Sequence, residues 1–232
     1  MIYFLIHENL PHEMARAISA YGTCVRLPMF AALSEPVCRH PDMLIARIGG
    51  VYLVHRDYTA GREILDSLGV PYRLSEAAVG REYPRDVGLN CFEACGCFFA
   101  SERAVSPQAL LAARAAGLRF VPVRQGYAKC ATVVAGGAVA SADVGICRVA
   151  EEQGIPALLL AAGGIGIETY DTGFIGGACG LIDDATLGFF GDVSTYGEYV
   201  RLRDFFAARG VRLVSLDDAP LFDYGGMVRI EV

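Results

Sequence analysis

A cysteine and four aspartates occupy corresponding places in the sequence, each near the start of a β-like run. They are Asp42, Asp86, Cys130, Asp171 and Asp223. A thiol becomes a nucleophile when it loses its proton, and neighbouring carboxylates oppose that loss by raising the pKa of the thiol. A cation bound among the carboxylates would cancel their field and lower that pKa. The pattern therefore predicts a site in which a cationic ligand activates Cys130.

Other polar residues could complete such a site. His40 is the candidate general acid and base, because it lies two residues before Asp42 and at the same level as Cys130. Lys129 is a candidate ligand-binding residue, although alternation along a strand directs it to the face opposite Cys130. Three further polar residues are candidates for the wall of the site: Asn90, Gln125 and Asp192.

Each of these residues also has an ordinary structural interpretation. Aspartate is common in turns, a lone histidine is often a satisfied core or surface residue, and a buried cysteine usually acts as a small apolar side chain. The functional interpretation rests on the set, since one thiol and four carboxylates share one place in successive segments of the chain.

The elements that must position these residues repeat along the chain. Glycine follows a helical stretch and precedes a β-like run at five places: Gly22, Gly69, Gly117, Gly154 and Gly210. Glycine suits the left-handed residue that ends a helix. Apolar runs interrupted by glycine, as at Gly49-Gly50, Gly136-Gly137 and Gly176-Gly177, precede the helices and indicate hairpin turns. Each unit is therefore predicted to be strand, turn, strand, helix, strand.

Four complete units fit this order, and the two ends of the chain supply a fifth. The units are residues 40–75, 84–124, 128–161 and 170–217, and residues 221–232 joined to 1–28. Joining the ends would close the units into a ring and remove exposed sheet edges. The sequence thus predicts one α/β domain over residues 1–232, a five-fold α/β-propeller of ββαβ units in which corresponding residues face one another.

Composition limits the partners and the location. Apolar residues make up 53% of the chain and charged residues 20%, which excludes disorder and allows a large core. The net charge of −6, without a cluster of Lys and Arg, makes nucleic acid an unexpected partner. No run approaches the ~20 apolar residues of a membrane span. Eight cysteines without a secretory signal indicate reduced thiols and a cytoplasmic location.

No cofactor and no metal are expected. Cys91, Cys95 and Cys97 lack the fourth ligand and the paired spacing of a zinc site, so they are predicted to be buried thiols. The stretch Gly163–Gly166 lacks the third glycine and the following helix of a dinucleotide-binding loop, and it is predicted to be a loop beside the channel.

Five segments carry a resemblance to a known family. They are His40–Met43, Tyr83–Asn90, Gln125–Cys130, Gly173–Gly177 and Phe189–Asp192. Through them the sequence resembles an uncharacterised bacterial family with the pentein, or α/β-propeller, fold of the guanidine-modifying enzymes. The resemblance covers essentially the whole chain. It implies a cysteine nucleophile, a histidine acid and base, and carboxylates that hold a cationic guanidinium in a central channel.

On this resemblance, the expected function is hydrolysis or amidino transfer at a C–N bond of a small cationic guanidino or amidino molecule. Cys130 would attack the substrate carbon and His40 would move the protons. The carboxylates expected to bind the cation are Asp42, Asp86, Asp171 and Asp223. Enzymes of this fold usually carry the nucleophile near the C-terminus, but residues 224–230 contain no cysteine. Cys179 is therefore the alternative nucleophile.

A second function remains open. The fold also occurs in proteins that bind a macromolecular partner or a small ligand without catalysis, and the missing C-terminal cysteine favours that interpretation. The expected ligand of an enzyme is a small cationic molecule, and a homodimer is left open in either case.

Overall fold

The apolar runs form short strands that are joined by tight turns and by short helices. The computed structural model describes residues 1–232. The strands are β1 (Ile2–His7), β2 (Thr23–Leu27), β3 (Ile45–Ile48), β4 (Val51–His55), β5 (Tyr72–Ser75), β6 (Phe92–Ala94), β7 (Cys97–Ser101), β8 (Arg119–Val123), β9 (Thr132–Ala135), β10 (Ala138–Ser141), β11 (Ala157–Leu159), β12 (Cys179–Asp183), β13 (Thr186–Phe189), β14 (Arg212–Ser215) and β15 (Val228–Glu231). The α-helices are α1 (His12–Ser19), α2 (Pro41–Leu44), α3 (Thr59–Ser67), α4 (Pro107–Ala115), α5 (Val144–Glu152) and α6 (Tyr199–Ala207), and a 3₁₀ helix spans Val193–Thr195.

The strands form five three-stranded sheets, as the repeat predicts. In each sheet the first two strands are antiparallel, and the third strand is parallel to the second after a helical crossover. The sheets are β3-β4-β5, β6-β7-β8, β9-β10-β11, β12-β13-β14 and β15-β1-β2. The last sheet joins the two ends of the chain, since β15 pairs with β1 in the register Ile2 to Glu231.

The first strands of the five sheets contact one another in a cyclic order. Strand β3 contacts β6, β6 contacts β9, β9 contacts β12, β12 contacts β15, and β15 contacts β3. Five apolar clusters lie between the sheets and the helices, and each helix buries one face against them; α6 buries Leu202 and Phe206, for example. The apolar side chains thus fill the spaces around the first strands, and polar residues are left at the ends of those strands.

Two details of the repeat differ from the prediction. The turn between β12 and β13 is Asp184-Ala185, and Gly176-Gly177 comes before β12 rather than inside its hairpin. Four of the five helix-ending glycines have positive φ, but Gly22 does not. A side chain at Gly22 would instead approach the carbonyl oxygen of Ile2 to 2.7 Å, so close packing is what requires glycine there.

The helices of this fold are short. No helix has the combination of length and apolar composition that crossing a membrane requires.

Candidate functional site

Hydrogen bonds join the five sheets to one another at the residues that precede their first strands. The Asp42 N–H donates to Gly225 O (3.1 Å), the Gly226 N–H to Gly177 O (2.8 Å), the Gly177 N–H to Cys130 O (2.9 Å), the Cys130 N–H to Asn90 Oδ1 (3.2 Å), and Asn90 Nδ2 to Asp42 O (3.3 Å). Each bond crosses from one sheet to the next, and together they form a closed cycle. The cycle therefore gathers one short segment from every sheet around a common point.

Two glycines in this cycle make room for functional side chains. A Cβ atom at Gly177 would overlap the carboxylate of Asp223, and a Cβ atom at Gly225 would overlap His40. Gly225 also has a φ of +72°, a conformation that residues with a side chain rarely adopt. The C-terminal segment, in which the resemblance places a cysteine, thus carries no thiol and instead lets His40 approach.

Asn90 connects the cycle to the candidate nucleophile. Its Nδ2 donates to the Sγ of Cys130 at 3.0 Å, and its Oδ1 also accepts the Lys129 N–H at 2.8 Å. Asn90 is buried, and both the nitrogen and the oxygen of its side-chain amide form hydrogen bonds. The sequence analysis predicted Asn90 as a wall residue. In the structure its side chain forms hydrogen bonds with both the backbone N–H and the thiol of Cys130.

Cys130 is buried among acidic groups. Burial raises the pKa of its thiol well above the usual value, and the charges of Asp42 and Asp223 raise it further. The hydrogen bond from Asn90 opposes this shift, because a donor stabilises the thiolate. Burial, which the sequence argument did not contain, is the first cause. The empty site therefore holds Cys130 as a neutral thiol.

Asp42 is a buried acid of the same group. Neither of its carboxylate oxygens has a hydrogen-bond partner. Burial raises the pKa of Asp42 to about 7, with the charge of Lys129 opposing the shift and the charge of Asp223 adding to it. A buried carboxylate without partners is costly and needs a donor or a cation from elsewhere.

His40 and Asp223 form the other side of the cluster. The Nδ1 atom of His40 lies 3.8 Å from Oδ1 of Asp223 and has no hydrogen-bond partner. Burial lowers the pKa of His40 to about 3, so its imidazole is neutral at physiological pH. Burial raises the pKa of Asp223 to about 6, although the N–H groups of Phe174 and Gly225 donate to its carboxylate.

Two cavities meet this cluster from different sides. The smaller, about 240 Å³, is lined by Cys130, His40 and Asp223 together with aromatic and apolar side chains. The larger, about 630 Å³, is lined by residues of all five first strands and by Asp42, Lys129 and Cys179. Cys130 and Lys129 therefore line different cavities, although both lie in the turn that precedes β9 and not on a strand, as the sequence argument had assumed.

The cluster contains atoms of three kinds that bind metal ions. A ring nitrogen of His40, a carboxylate oxygen of Asp42 and the Sγ of Cys130 all lie within 4.8 Å of one another. Nitrogen, oxygen and thiolate sulfur are the ligands that Zn²⁺ takes in proteins, so these residues could hold a divalent ion. The sequence argument, which looked for metal ligands among Cys91, Cys95 and Cys97, did not find this set.

Cys179 does not join Cys130 in the smaller cavity. It is buried, it lines the larger cavity, and burial raises the pKa of its thiol to about 12. No histidine lines that cavity. A histidine therefore lines the cavity of Cys130, whereas none lines the cavity of Cys179.

Four predicted site residues lie apart from the cluster. Asp171 is exposed and lines neither cavity, since β12 begins eight residues later than the predicted register requires. Asp192 accepts the Ser194 N–H at the start of the 3₁₀ helix, which is its turn-forming role. Gln125 binds Asp143 and the Tyr127 N–H within its loop. Asp86 is buried outside both cavities and accepts a hydrogen bond from the hydroxyl of Tyr127.

Aromatic residues complete the smaller cavity, and the sequence argument did not identify them. The rings of Tyr127 and Phe174 stack with centroids 6.0 Å apart and an interplanar angle of 27°. Both line the smaller cavity with Tyr170. Tyr127 and Phe174 belong to segments that the sequence argument singled out, but the sequence of a loop does not show which way an aromatic side chain points.

Asp42→Asn is expected to make the protein more stable at alkaline pH. In the unfolded chain Asp42 is ionised at both pH 5 and pH 8. In the folded protein, with a pKa of about 7, it holds its proton at pH 5 and loses it at pH 8, so stability falls as the pH rises. The variant lacks this fall, and its free energy of unfolding relative to the parent should rise by about 2 kcal/mol between these pH values.

Denaturant unfolding at both pH values measures this difference. Asp171→Asn, the same change at an exposed aspartate, is the control and should show no pH-dependent gain. If Asp42→Asn changed the free energy of unfolding equally at pH 5 and pH 8, the result would contradict the raised pKa that burial gives Asp42.

Comparison with known proteins gives the fold and the family. No curated protein matches the sequence. The structure is similar to that of the dimethylarginine dimethylaminohydrolase of Pseudomonas aeruginosa, solved as a cysteine-to-serine variant with citrulline, with 12% identity and a TM-score of 0.51. It is also similar to a dimethylarginine dimethylaminohydrolase adduct with 4-chloro-2-hydroxymethylpyridine (13% identity, TM-score 0.51) and to a histidine-to-glycine variant of such an enzyme as its adduct with S-methyl-L-thiocitrulline (13% identity, TM-score 0.52).

Each of these similarities covers 93% of this chain and 92% of the other chain. At this identity the likeness shows the fold alone, which is the pentein fold of a guanidine-modifying enzyme. A family model spans residues 5–228, nearly the whole chain. The protein therefore belongs to a family of unknown function, DUF6873.

Proposed function

We propose that the protein binds a small guanidinium or amidinium ion in the smaller cavity and that Cys130 attacks the carbon of that ion. The reaction would be hydrolysis or transfer at a C–N bond. The observation that carries this proposal is the buried cluster of Cys130, His40, Asp42 and Asp223, in which polar atoms lack partners. The likeness to a guanidine-modifying hydrolase supports the same class of reaction.

A cation is the ligand that this cluster needs. Asp223 lines the smaller cavity and lies 3.8 Å from the unpartnered Nδ1 of His40. Asp42 lines the larger cavity, but a carboxylate oxygen of Asp42 lies within 4.8 Å of the Cys130 sulfur and adds its charge to the same cluster. Planar N–H donors of a guanidinium would satisfy carboxylate oxygens with charge-assisted hydrogen bonds. The positive charge would also offset the acidic field that raises the pKa of Cys130. Binding would therefore favour the thiolate at the moment when the substrate is present.

The chemical steps would use His40 twice. The neutral imidazole takes the thiol proton, and the Cys130 sulfur forms a bond to the substrate carbon. The protonated His40, next to Asp223, gives this proton to the leaving amine as the C–N bond breaks, which leaves a thiouronium on Cys130. Water then attacks that carbon and passes one proton to His40. The C–S bond breaks, His40 returns this proton to the thiolate, and the second proton of the water passes to solvent, so that a urea is released and the thiol and the neutral imidazole are restored. An amine in place of water would give transfer.

The five sheets, in this proposal, form one closed propeller-like domain around the site. The cyclic contacts of the first strands and the cyclic hydrogen bonds at their starts support a closed ring. A ring explains how residues from distant parts of the chain, such as Asp42, Cys130 and Asp223, can share one cluster.

Labelling with a cationic and a neutral alkylating agent tests the proposal. Chloroacetamidine carries an amidinium, whereas iodoacetamide is neutral. Normalised to the exposed Cys95, chloroacetamidine should label Cys130 at least about tenfold faster than iodoacetamide, a difference of about 1.4 kcal/mol. Peptide mass spectrometry locates the modified cysteine.

The Asp223→Asn variant should reduce this preference, whereas Asp171→Asn, at an exposed position, should keep it. Equal labelling of Cys130 by the two agents would overturn the proposal of a cation site. A preference for the cation at Cys179 would instead move the site to the larger cavity.

A further inference from the structure

The wall of the smaller cavity carries an acid but no lysine or arginine that could neutralise an anion. The side chains that line it with charge or proton-transfer chemistry are Cys130, His40 and Asp223. The other six are aromatic, aliphatic or, in Thr172, a hydroxyl, and none of the nine is Lys or Arg.

The nearest cations in the sequence are occupied elsewhere. Arg39, next to His40, pairs with Glu8 at 3.1 Å and with Glu35 at 3.2 Å. Lys129, next to Cys130, lines the larger cavity and donates to the carbonyl oxygen of Gly176. A carboxylate or phosphate on a ligand in the smaller cavity would therefore lie beside Asp223 without a positive partner. Burial of an unpaired charge is strongly unfavourable.

The walls of the smaller cavity suit a cation with an uncharged remainder. Tyr127 and Phe174, whose rings stack on each other, both line it, and aromatic rings attract a nearby cation through their π electrons. The volume of about 240 Å³ holds roughly eight groups of the size of a water molecule. It is therefore smaller than the cavities that bind drug-sized molecules, which start at about 300 Å³.

We infer that the ligand of the smaller cavity is a compact guanidinium or amidinium whose tail carries no negative charge, and that guanidino acids are rejected. This inference rests on the proposed function and narrows its substrate class. The selectivity arises from what the cavity lacks, since Asp223 attracts the cationic end and no residue neutralises an acidic end.

Two probes of equal heavy-atom count isolate the tail charge. Guanidinopropionamide and guanidinopropionate differ only in the amide or carboxylate that ends the tail. Each is tested for protection of Cys130 against iodoacetamide, with peptide mass spectrometry as the readout. The amide should protect at a concentration at least about tenfold lower than the acid, since an unpaired buried charge costs more than the 1.4 kcal/mol that corresponds to tenfold.

A new cation in the wall of the smaller cavity should reduce the advantage of the amide over the acid in protecting Cys130. Thr172→Lys adds an ammonium to the lining of the smaller cavity, and it should improve protection by the acid more than by the amide. Leu111→Lys adds the same charge at an exposed position of α4 and is the control, which should leave the order unchanged.

The outcomes separate this inference from the proposed function. Protection by the acid that equals or exceeds protection by the amide would overturn the inference and leave the guanidinium site standing. Failure of both probes to protect a Cys130 that iodoacetamide labels would overturn both.

Discussion

Cys130→Ala is expected to abolish turnover of a guanidine substrate and to leave binding of the cation within about threefold of the parent. The loss of turnover follows because Cys130 is the only thiol that lines the cavity of His40 and Asp223. Removal of a nucleophile typically reduces the rate by several orders of magnitude. Binding persists because Asp223, the carboxylate that lines this cavity, remains, as does the nearby charge of Asp42.

Two assays check this expectation. Release of the amine measures turnover, and titration calorimetry with the guanidine measures binding to each variant. Cys179→Ala is the matched control, since Cys179 is also buried but lines the larger cavity. That control should keep its turnover. Retained turnover in the Cys130 variant, together with loss in the Cys179 variant, would transfer the nucleophile to Cys179.

Asn90→Leu is expected to lower the free energy of unfolding by about 4 kcal/mol. The Asn90 side chain accepts the N–H groups of Lys129 and Cys130 and donates to Asp42 O and to the Cys130 sulfur. Leucine has a similar size but can neither accept nor donate, so four groups in or near the core lose a partner. A buried polar group without a partner costs about 1–3 kcal/mol.

A second variant at Asn90 separates stability from the chemistry of the thiol. Asn90→Asp keeps an acceptor for the two N–H groups but no longer donates to Cys130 when it is ionised. Its negative charge also opposes a thiolate, so alkylation of Cys130 should slow beyond the parent rate even in folded protein. Denaturant unfolding and the alkylation rate are the measurements.

Asn9→Ala, at an exposed asparagine, is the control for both Asn90 variants. It should change the free energy of unfolding by no more than about 0.5 kcal/mol. A similarly small change in Asn90→Leu would show that the hydrogen-bond cycle does not hold the sheets together as the structure indicates.

The ionised forms of the two site acids and of the thiol repel one another, and a bound cation would reduce this repulsion. Burial raises the pKa values of Asp42, Asp223 and Cys130 together, so a cation is favourable to all three at once. This arrangement lowers the free energy of unfolding of the protein without a ligand, which is why Asp42→Asn is expected to be stabilising. The unpartnered carboxylate of Asp42 and the unpartnered Nδ1 of His40 are therefore the strongest support for the proposal that this cluster serves a ligand.

The repeat is what the sequence determined best. Glycines at helix ends and alternating apolar runs are local signals, and local backbone preferences act before any tertiary contact forms. They predicted the five strand–helix units, and they joined the chain ends because only a split unit completed the pattern. The pairing of β15 with β1 is the structural counterpart of that split.

The membership of the site depended on tertiary structure. The sequence placed Asp86 and Asp171 beside Asp42 because all three precede β-like runs, but the lengths of the intervening loops differ. In the structure, Asn90 and Gly177 occupy the places assigned to these two acids, and Asp171 stays in solvent. A shift of a few residues in a loop changes no local preference, although it decides which side chain reaches the centre.

Direction and burial also came only from the fold. The sequence identified Cys130 and His40 by type and spacing, but it gave no basis for the depth that makes the thiol and the imidazole neutral. Nor could it show that Gly225 leaves room for His40, or that Tyr127 and Phe174 face the same cavity. Spacing along a chain determines which residues share an element, whereas the packing of five sheets around a common point determines which of them share a site.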